Sequence, residues 1–220
     1  MTIQSHINAL RETVPSGVRL VAVSKFHPAE MIREAYDAGL RIFGESRVQE
    51  LIVKKDQLPG DIEWHFIGNL QRNKVKQIAP FISLIHSLDN ERLMLEIEKQ
   101  GAANGRIIPC LLQIHIAEEE TKSGFSSDEC RRFLEEGKWK ACPHVRIAGV
   151  MGMATFTDDE NQVRKEFRQL KSLFDEFKTG FFRHDTTFKE ISMGMTGDYQ
   201  VAIEEGSTMI RIGTLIFGDR

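Results

Sequence analysis

The sequence predicts an α/β chain closed into a single (β/α)8 TIM barrel over residues 1–220, and two observations carry that expectation. Strand-like and helix-like segments alternate from one end of the chain to the other. Strands alternating with helices pair in parallel through right-handed crossovers. About eight such units fit a chain of 220 residues, which is the count and length of a closed barrel. An open doubly wound sheet is the alternative, but no Gly-x-Gly-x-x-Gly loop follows the first strand.

The first strand is expected at 19–23, where Val21-Ala22-Val23 is a short, apolar, β-branched run. It ends in Ser24-Lys25, and a helix-forming stretch starts at Pro28. Further strands are expected at 41–43, 62–67 and 81–85. A helix follows from Asn90 to about Gln100, with Leu93, Met94 and Ile97 inward and Gly101 as its stop. Strands at 108–114 and 146–150 come next. The clearest helix puts Val163, Phe167, Leu170, Phe174 and Phe177 on one face, at the period of a surface helix packed on a core. The last two strands are expected at 190–192 and 208–212.

Composition narrows the class. The chain is 41% hydrophobic and 28% charged, ordinary for a soluble globular protein. A formal net charge of -3 argues against binding nucleic acid through phosphate neutralisation. No apolar run approaches the roughly 20 residues of a membrane span, and the mixed-charge N-terminus does not read as a signal peptide. Cys110, Cys130 and Cys142 have no metal-ligand spacing and are odd in number, so a reducing, cytoplasmic compartment is expected.

In a barrel, chemistry sits on loops leaving the C-terminal strand ends. Polar and glycine-bearing groups fall there: Lys25, Gly44-Glu45-Ser46, Gly68-Asn69, Ser87 with Asp89, Lys122-Ser123-Gly124, Ser192-Met193-Gly194 and Arg211-Ile212-Gly213-Thr214. A lysine where a buried strand runs out has a partly dry amine. Desolvation disfavours its ammonium, and the free amine can attack a carbonyl to form a Schiff base. The segments 192–198 and 206–214 read as anion cradles, because glycine lets backbone N–H groups approach a phosphate. The same Ser, Gly and Thr pattern also caps helices. Arg211 sits among Met209, Ile210 and Ile212, and buried arginine is rare unless paired. His65 reads as a base, a ring contact or a satisfied core histidine. Arg72, Lys74 and Lys76 read as a solvated face and Glu118-Glu119-Glu120 as loop surface.

These segments together resemble a known family. Ala22-Val23-Ser24-Lys25, Phe43-Gly44-Glu45, Val48-Gln49-Glu50, Trp64-His65-Phe66-Ile67-Gly68, Gly149-Val150-Met151, Ser192-Met193-Gly194-Met195 and 206–214 occur in order along the whole chain. The chain resembles the pyridoxal 5'-phosphate homeostasis proteins (the YggS/PROSC type), single-domain relatives of the alanine racemase barrel. The resemblance implies a fold-type III barrel that binds pyridoxal phosphate as a Schiff base on Lys25. It also implies that Ser192 and Thr214, with backbone amides around Met193 and Gly213, hold the phosphate. Arg211 then faces the pyridine nitrogen. The family commonly carries Gly-Glu-Asn-Tyr where this chain has Gly44-Glu45-Ser46-Arg47, so any contact from Ser46 to the ring hydroxyl runs through water.

Two functions follow from the resemblance: a carrier that buffers the cofactor and supplies it to apoenzymes, or an amino-acid racemase. Racemisation needs acid–base groups on both faces of the substrate carbon. Lys25 serves one face, and the racemase relatives take the other base from a tyrosine in an additional C-terminal domain. Here the chain ends shortly after its last strand, and Tyr36 and Tyr199 are not placed as a second base. His65 is a possible substitute. The carrier, a monomer, is the expectation, with Lys74 and Lys122 as secondary cofactor sites weighed against plain surface roles.

Overall fold

The computed structural model describes residues 2–119 and 123–218. Eight parallel strands close in sequence order into a barrel. They are β1 (Arg19–Val23), β2 (Ile42–Glu45), β3 (Glu63–Phe66), β4 (Leu84–Leu88), β5 (Ile108–Gln113), β6 (Val145–Met151), β7 (Glu190–Ser192) and β8 (Met209–Ile212). Helix α1 (Ile3–Thr13) precedes them. Each strand is then followed by its own helix: α2 (Ala29–Asp37), α3 (Val48–Gln57), α4 (Val75–Ile78), α5 (Glu91–Ala103), α6 (Ser127–Glu136), α7 (Glu160–Gly180), α8 (Tyr199–Glu204) and α9 (Thr214–Phe217). β1 closes the barrel by pairing with β8, with Val21 opposite Arg211 and Ala22 opposite Ile212. The closed-barrel expectation therefore holds, and the open sheet is excluded.

Alternation along the strands builds two cores. Val21, Leu84, Leu111, Ala148, Met151 and Met209 fill the barrel interior. Ala22, Phe43, Phe66, Ile85, Cys110, Leu112, Ile191 and Ile210 face outward and pack under the helices. At the N-terminal end of the barrel Arg19 pairs with Glu190 at 3.0 Å. In β6 the interior residues Ala148 and Met151 are three apart rather than two. A bulge opposite Cys110 and Leu111 shifts the register there, and Gly149 takes it at φ +153°.

Local chemistry explains the element ends. Asp159 caps α7 by accepting from the N–H groups of Asn161 and Gln162. The predicted stripe on α7 is buried at Val163, Phe167, Leu170 and Phe177. Its fifth member, Phe174, is half-buried and stacks on Phe188 at 5.0 Å. Two expectations shift. The fourth strand is Leu84–Leu88 rather than 81–85, because Phe81 and Ile82 close a turn onto the Ile78 carbonyl. Helix α5 runs through Gly101, which is buried where a Cβ would meet that of His144 at 2.8 Å. The real stop is Asn104, followed by Gly105 at φ +60°.

No described helix is long and apolar enough to cross a membrane. The described residues hold no cluster of three metal-ligating side chains. All three cysteines are free and buried.

Candidate functional site

Three neighbouring strands, β7, β8 and β1, carry Ser192, Arg211 and Lys25 to the same sector of the barrel. Lys25 is half-buried and opens the turn just past β1. The preceding Ser24 still holds the ladder, donating its N–H to the Gly44 carbonyl at 3.0 Å. Beside it, Gly213 leaves β8 so close to β1 that a Cβ would lie 3.2 Å from the Val23 carbonyl oxygen. That glycine keeps the sector next to the lysine turn free of a side chain. Thr214 follows at the exposed start of α9.

Arg211 is the charge at the centre. Only 4% exposed, it donates through Nη1 to Ser192 Oγ at 2.6 Å and through Nη2 to the Gly152 carbonyl at 3.0 Å. Both acceptors are neutral. Burial pushes its pKa down to about 10, so it remains a cation at neutral pH. The Asp198 carboxylate favours this charge only through space, so the guanidinium, hydrogen-bonded to neutral groups alone, can still serve an anion or a strong acceptor. Together with the Ser192 hydroxyl and the side-chain-free edge at Gly213, it gives this sector a cationic, hydrogen-bonding lining suited to a small polar or anionic ligand.

Ser192 Oγ also lies 3.0 Å from His86 Nδ1, and His86 Nε2 lies 3.0 Å from His65 Nδ1. His65 in turn lines a cleft at the N-terminal end of the barrel with Arg19, Glu63, Arg146 and Lys189. Burial holds both imidazoles neutral, with His65 lowered to about 3. Desolvation also lowers His86 well below the usual imidazole value, helped by the neighbouring His65 and Arg211. This makes the fold acid-sensitive. Unfolded histidines take a proton near 6.5 while the folded pair resists, so between those values the unfolded state binds more protons. Stability is therefore lost as pH falls. Between pH 6 and 5, urea titrations should show a loss approaching about 1.4 kcal/mol per pH unit for each ring. A slope identical in His86→Gln would assign the effect to other groups.

A second network grips the lysine turn from behind. Lys54 of α3 donates to the Ser24 carbonyl at 2.9 Å and to Glu45 Oε1 at 2.7 Å. Ser24 Oγ donates to the same carboxylate oxygen at 2.6 Å. Glu50, also on α3, accepts from the Phe26 N–H at 3.0 Å. The backbone on both sides of Lys25 is thus bonded to α3 side chains. Phe26 itself is held at φ +68°, a conformation that bulky residues avoid. Glu45 is fully buried, and its Oε2 has no partner among the described residues. Desolvation raises its pKa, against the bonds from Lys54 and Ser24.

The other predicted residues separate. Met193 is buried, and its N–H is bonded to the Met209 carbonyl at 3.2 Å, so the ladder uses that amide. Asp198 accepts from the Met195 N–H, closing the 195–198 turn on itself. Ser46 is half-buried past β2, with its backbone pressed so close to Gly68 that a Cβ there would meet its carbonyl oxygen at 2.3 Å. His65 is a buried core histidine bonded through Nδ1 to His86, and it reaches Ser192 only through His86. Arg72 and Lys76 line an open surface hollow beside Glu96, and Lys74 is half-buried at the start of α4. Lys122 and Glu120 lie outside the described residues. His86, Lys54 and the gripping role of Glu45 were not anticipated. The one signal for His86 is a polar pair flanked by apolar residues in Leu84-Ile85-His86-Ser87-Leu88, just past the expected end of the fourth strand; Lys54 carries none.

The alanine racemase N-terminal domain model matches residues 1–220. A pyridoxal phosphate homeostasis protein of Aquifex aeolicus is 40% identical over 203 residues, covering 92% of this chain and 87% of that one. Its namesake from Synechocystis is 37% identical, covering 94% of each. The structure of PipY from Synechococcus elongatus without PLP superposes at TM-score 0.92 with 35% identity, over 99% of this chain and all of PipY. PipY with PLP bound superposes at 0.89 with 34% identity. An alanine racemase from Streptomyces coelicolor shares the fold at TM-score 0.77 and 16% identity.

Proposed function

The chain belongs to the alanine racemase N-terminal domain family, in its pyridoxal phosphate homeostasis branch, and on that premise we propose that it binds pyridoxal 5'-phosphate. It buffers the cofactor in the cytoplasm and supplies it to apoenzymes as a monomer of one domain, 1–220. The observation that carries the reading is Arg211, a buried cation between two neutral acceptors, in the same barrel sector as Lys25. PipY, similar over its whole length, was solved with PLP bound. The three free, buried thiols support the reducing compartment.

When bound, pyridoxal phosphate supplies an aldehyde that condenses reversibly with a primary amine, and a ring that can delocalise charge. Lys25 offers that amine at the mouth, and the grip of Lys54 and Glu50 on Ser24 and Phe26 fixes the turn presenting it. Ser192 and Thr214 offer hydroxyls to the phosphate, and Gly213 lets the backbone come close. Met193 backs this loop from the core, and Ser46 reaches the ring edge through water. Arg211 keeps its protons at neutral pH, so it donates to the ring nitrogen and leaves that nitrogen unprotonated. That restrains carbanion chemistry and suits storage over turnover.

The tyrosines support a carrier over a racemase. Tyr36 donates to Asp61 at 2.7 Å, and Tyr199 shares a hydrogen bond with Thr13 at 3.3 Å. Neither hydroxyl pairs with a residue of the site. The test is borohydride reduction of the protein loaded with pyridoxal phosphate, followed by peptide mapping. The label is expected on Lys25 and lost in Lys25→Ala; a label confined to Lys74 or Lys122 would reject the assignment. In deuterated water with L-amino acids, no α-exchange is expected, and the loaded protein should activate an apoenzyme. Rapid exchange with accumulation of D-isomer would establish the racemase.

A further inference from the structure

The barrel interior contains an unbroken hydrogen-bonded file, Arg211–Ser192–His86–His65, joined by contacts of 2.6, 3.0 and 3.0 Å. It starts at the proposed cofactor sector and ends at a cleft on the opposite, N-terminal end of the barrel. Arginine can only donate, so the first bond has a fixed direction. Each neutral imidazole has one N–H and one acceptor nitrogen. Proton counting then allows only two arrangements that place a single hydrogen in every bond.

In the first, Ser192 donates to His86 Nδ1, His86 donates through Nε2 to His65 Nδ1, and His65 carries its proton on Nε2, toward the cleft. In the second, every bond after Arg211 reverses. His65 donates through Nδ1 to His86 Nε2, and His86 donates through Nδ1 to Ser192 Oγ. That oxygen then accepts two hydrogen bonds, and its own hydrogen is released to donate elsewhere. Any mixed arrangement leaves one contact with two hydrogens or none, inside a region where both rings are at most 1% exposed.

We propose that His86 and His65 are positioning residues whose shared tautomer sets the direction of the Ser192 hydroxyl, and that a phosphate at Ser192 selects the Nδ1–H form of both rings. A phosphate dianion accepts only, so it engages Ser192 only in the second arrangement. Occupancy at the mouth therefore converts His65 Nε2 from donor to acceptor at the far cleft. No ring moves and no net proton is taken up. The inference rests on the reading of Ser192 as a phosphate donor.

The test uses the full-length protein with 15N-labelled histidine, observed by long-range proton–nitrogen correlation, which distinguishes the two tautomers. Signals are assigned by their loss in His65→Asn and His86→Gln. Pyridoxal phosphate should convert both rings from Nε2–H to Nδ1–H, whereas pyridoxal, which lacks the phosphate, should not. Binding seen as a visible absorbance band with unchanged tautomers would overturn the coupling and leave the cofactor reading intact. No band and no change would overturn both. As a second measurement, His86→Leu should retain pyridoxal phosphate about tenfold less well. His86→Gln, whose amide can still donate to Ser192, should recover most of that loss. Equal retention in the two variants would reduce His86 to a packing role and overturn the proposal.

Discussion

Replacing Lys54 with alanine is expected to cost about 3–5 kcal/mol of folding stability, because it strands a buried carboxylate. Lys54 is 7% exposed and Glu45 is fully buried. Their 2.7 Å ion pair is the main offset to the desolvation of Glu45. Without the ammonium, Glu45 keeps only the Ser24 hydroxyl on one oxygen, while the other already has no partner among the described residues. Urea titration of Lys54→Ala measures the loss. The double substitution Lys54→Met with Glu45→Leu should recover most of it, since breaking a buried pair costs more than replacing it whole. The functional consequence is separable. Lys54 also holds the Ser24 carbonyl, so whatever fraction of Lys54→Ala folds should be labelled more slowly at Lys25. Unchanged labelling in that variant and in the double substitution would make the network purely structural.

The parts of this molecule that were legible in the sequence are those set by apolar periodicity. Strands β1 and β7 fall where expected, because Val21-Ala22-Val23 and Ile191 lie between clear turn residues. That Lys25, Ser192 and Arg211 share one sector was legible because each ends or interrupts an apolar strand, and parallel pairing in sequence order makes β7, β8 and β1 neighbours. His86 was hidden by the same logic. An apolar run starting at Phe81 suggested a strand ending before it, whereas the real strand carries His86 and Ser87 fully into the core. The buried polarity of His86 is explained only by Ser192 and His65, which are 106 and 21 residues away. The α3 grip was hidden likewise. Lys54 looks like any lysine of a surface helix, and only the 2.9 Å bond to the Ser24 carbonyl reveals its task.

Gly149→Ala is expected to destabilise by about 3–5 kcal/mol or prevent folding, through a backbone clash that no rotamer can relieve. A Cβ at this position would lie 1.9 Å from the Glu190 carbonyl oxygen and 2.7 Å from its carbon. Gly180→Ala is the control, because nothing lies within 4 Å of a Cβ there; it should be neutral or slightly stabilising. The bulge at Gly149 changes which residues of β6 face inward, so Met151 enters the barrel interior in place of Val150. The strand then delivers Gly152, whose N–H bonds the Ser192 carbonyl at 3.1 Å and whose carbonyl accepts from Arg211. One missing Cβ therefore positions both the serine and the arginine of the site. Any folded fraction of Gly149→Ala should retain pyridoxal phosphate poorly and lose stability together. A variant as stable as the parent, with retention unchanged, would show that the register of β6 does not depend on this glycine and that Arg211 is held by other means.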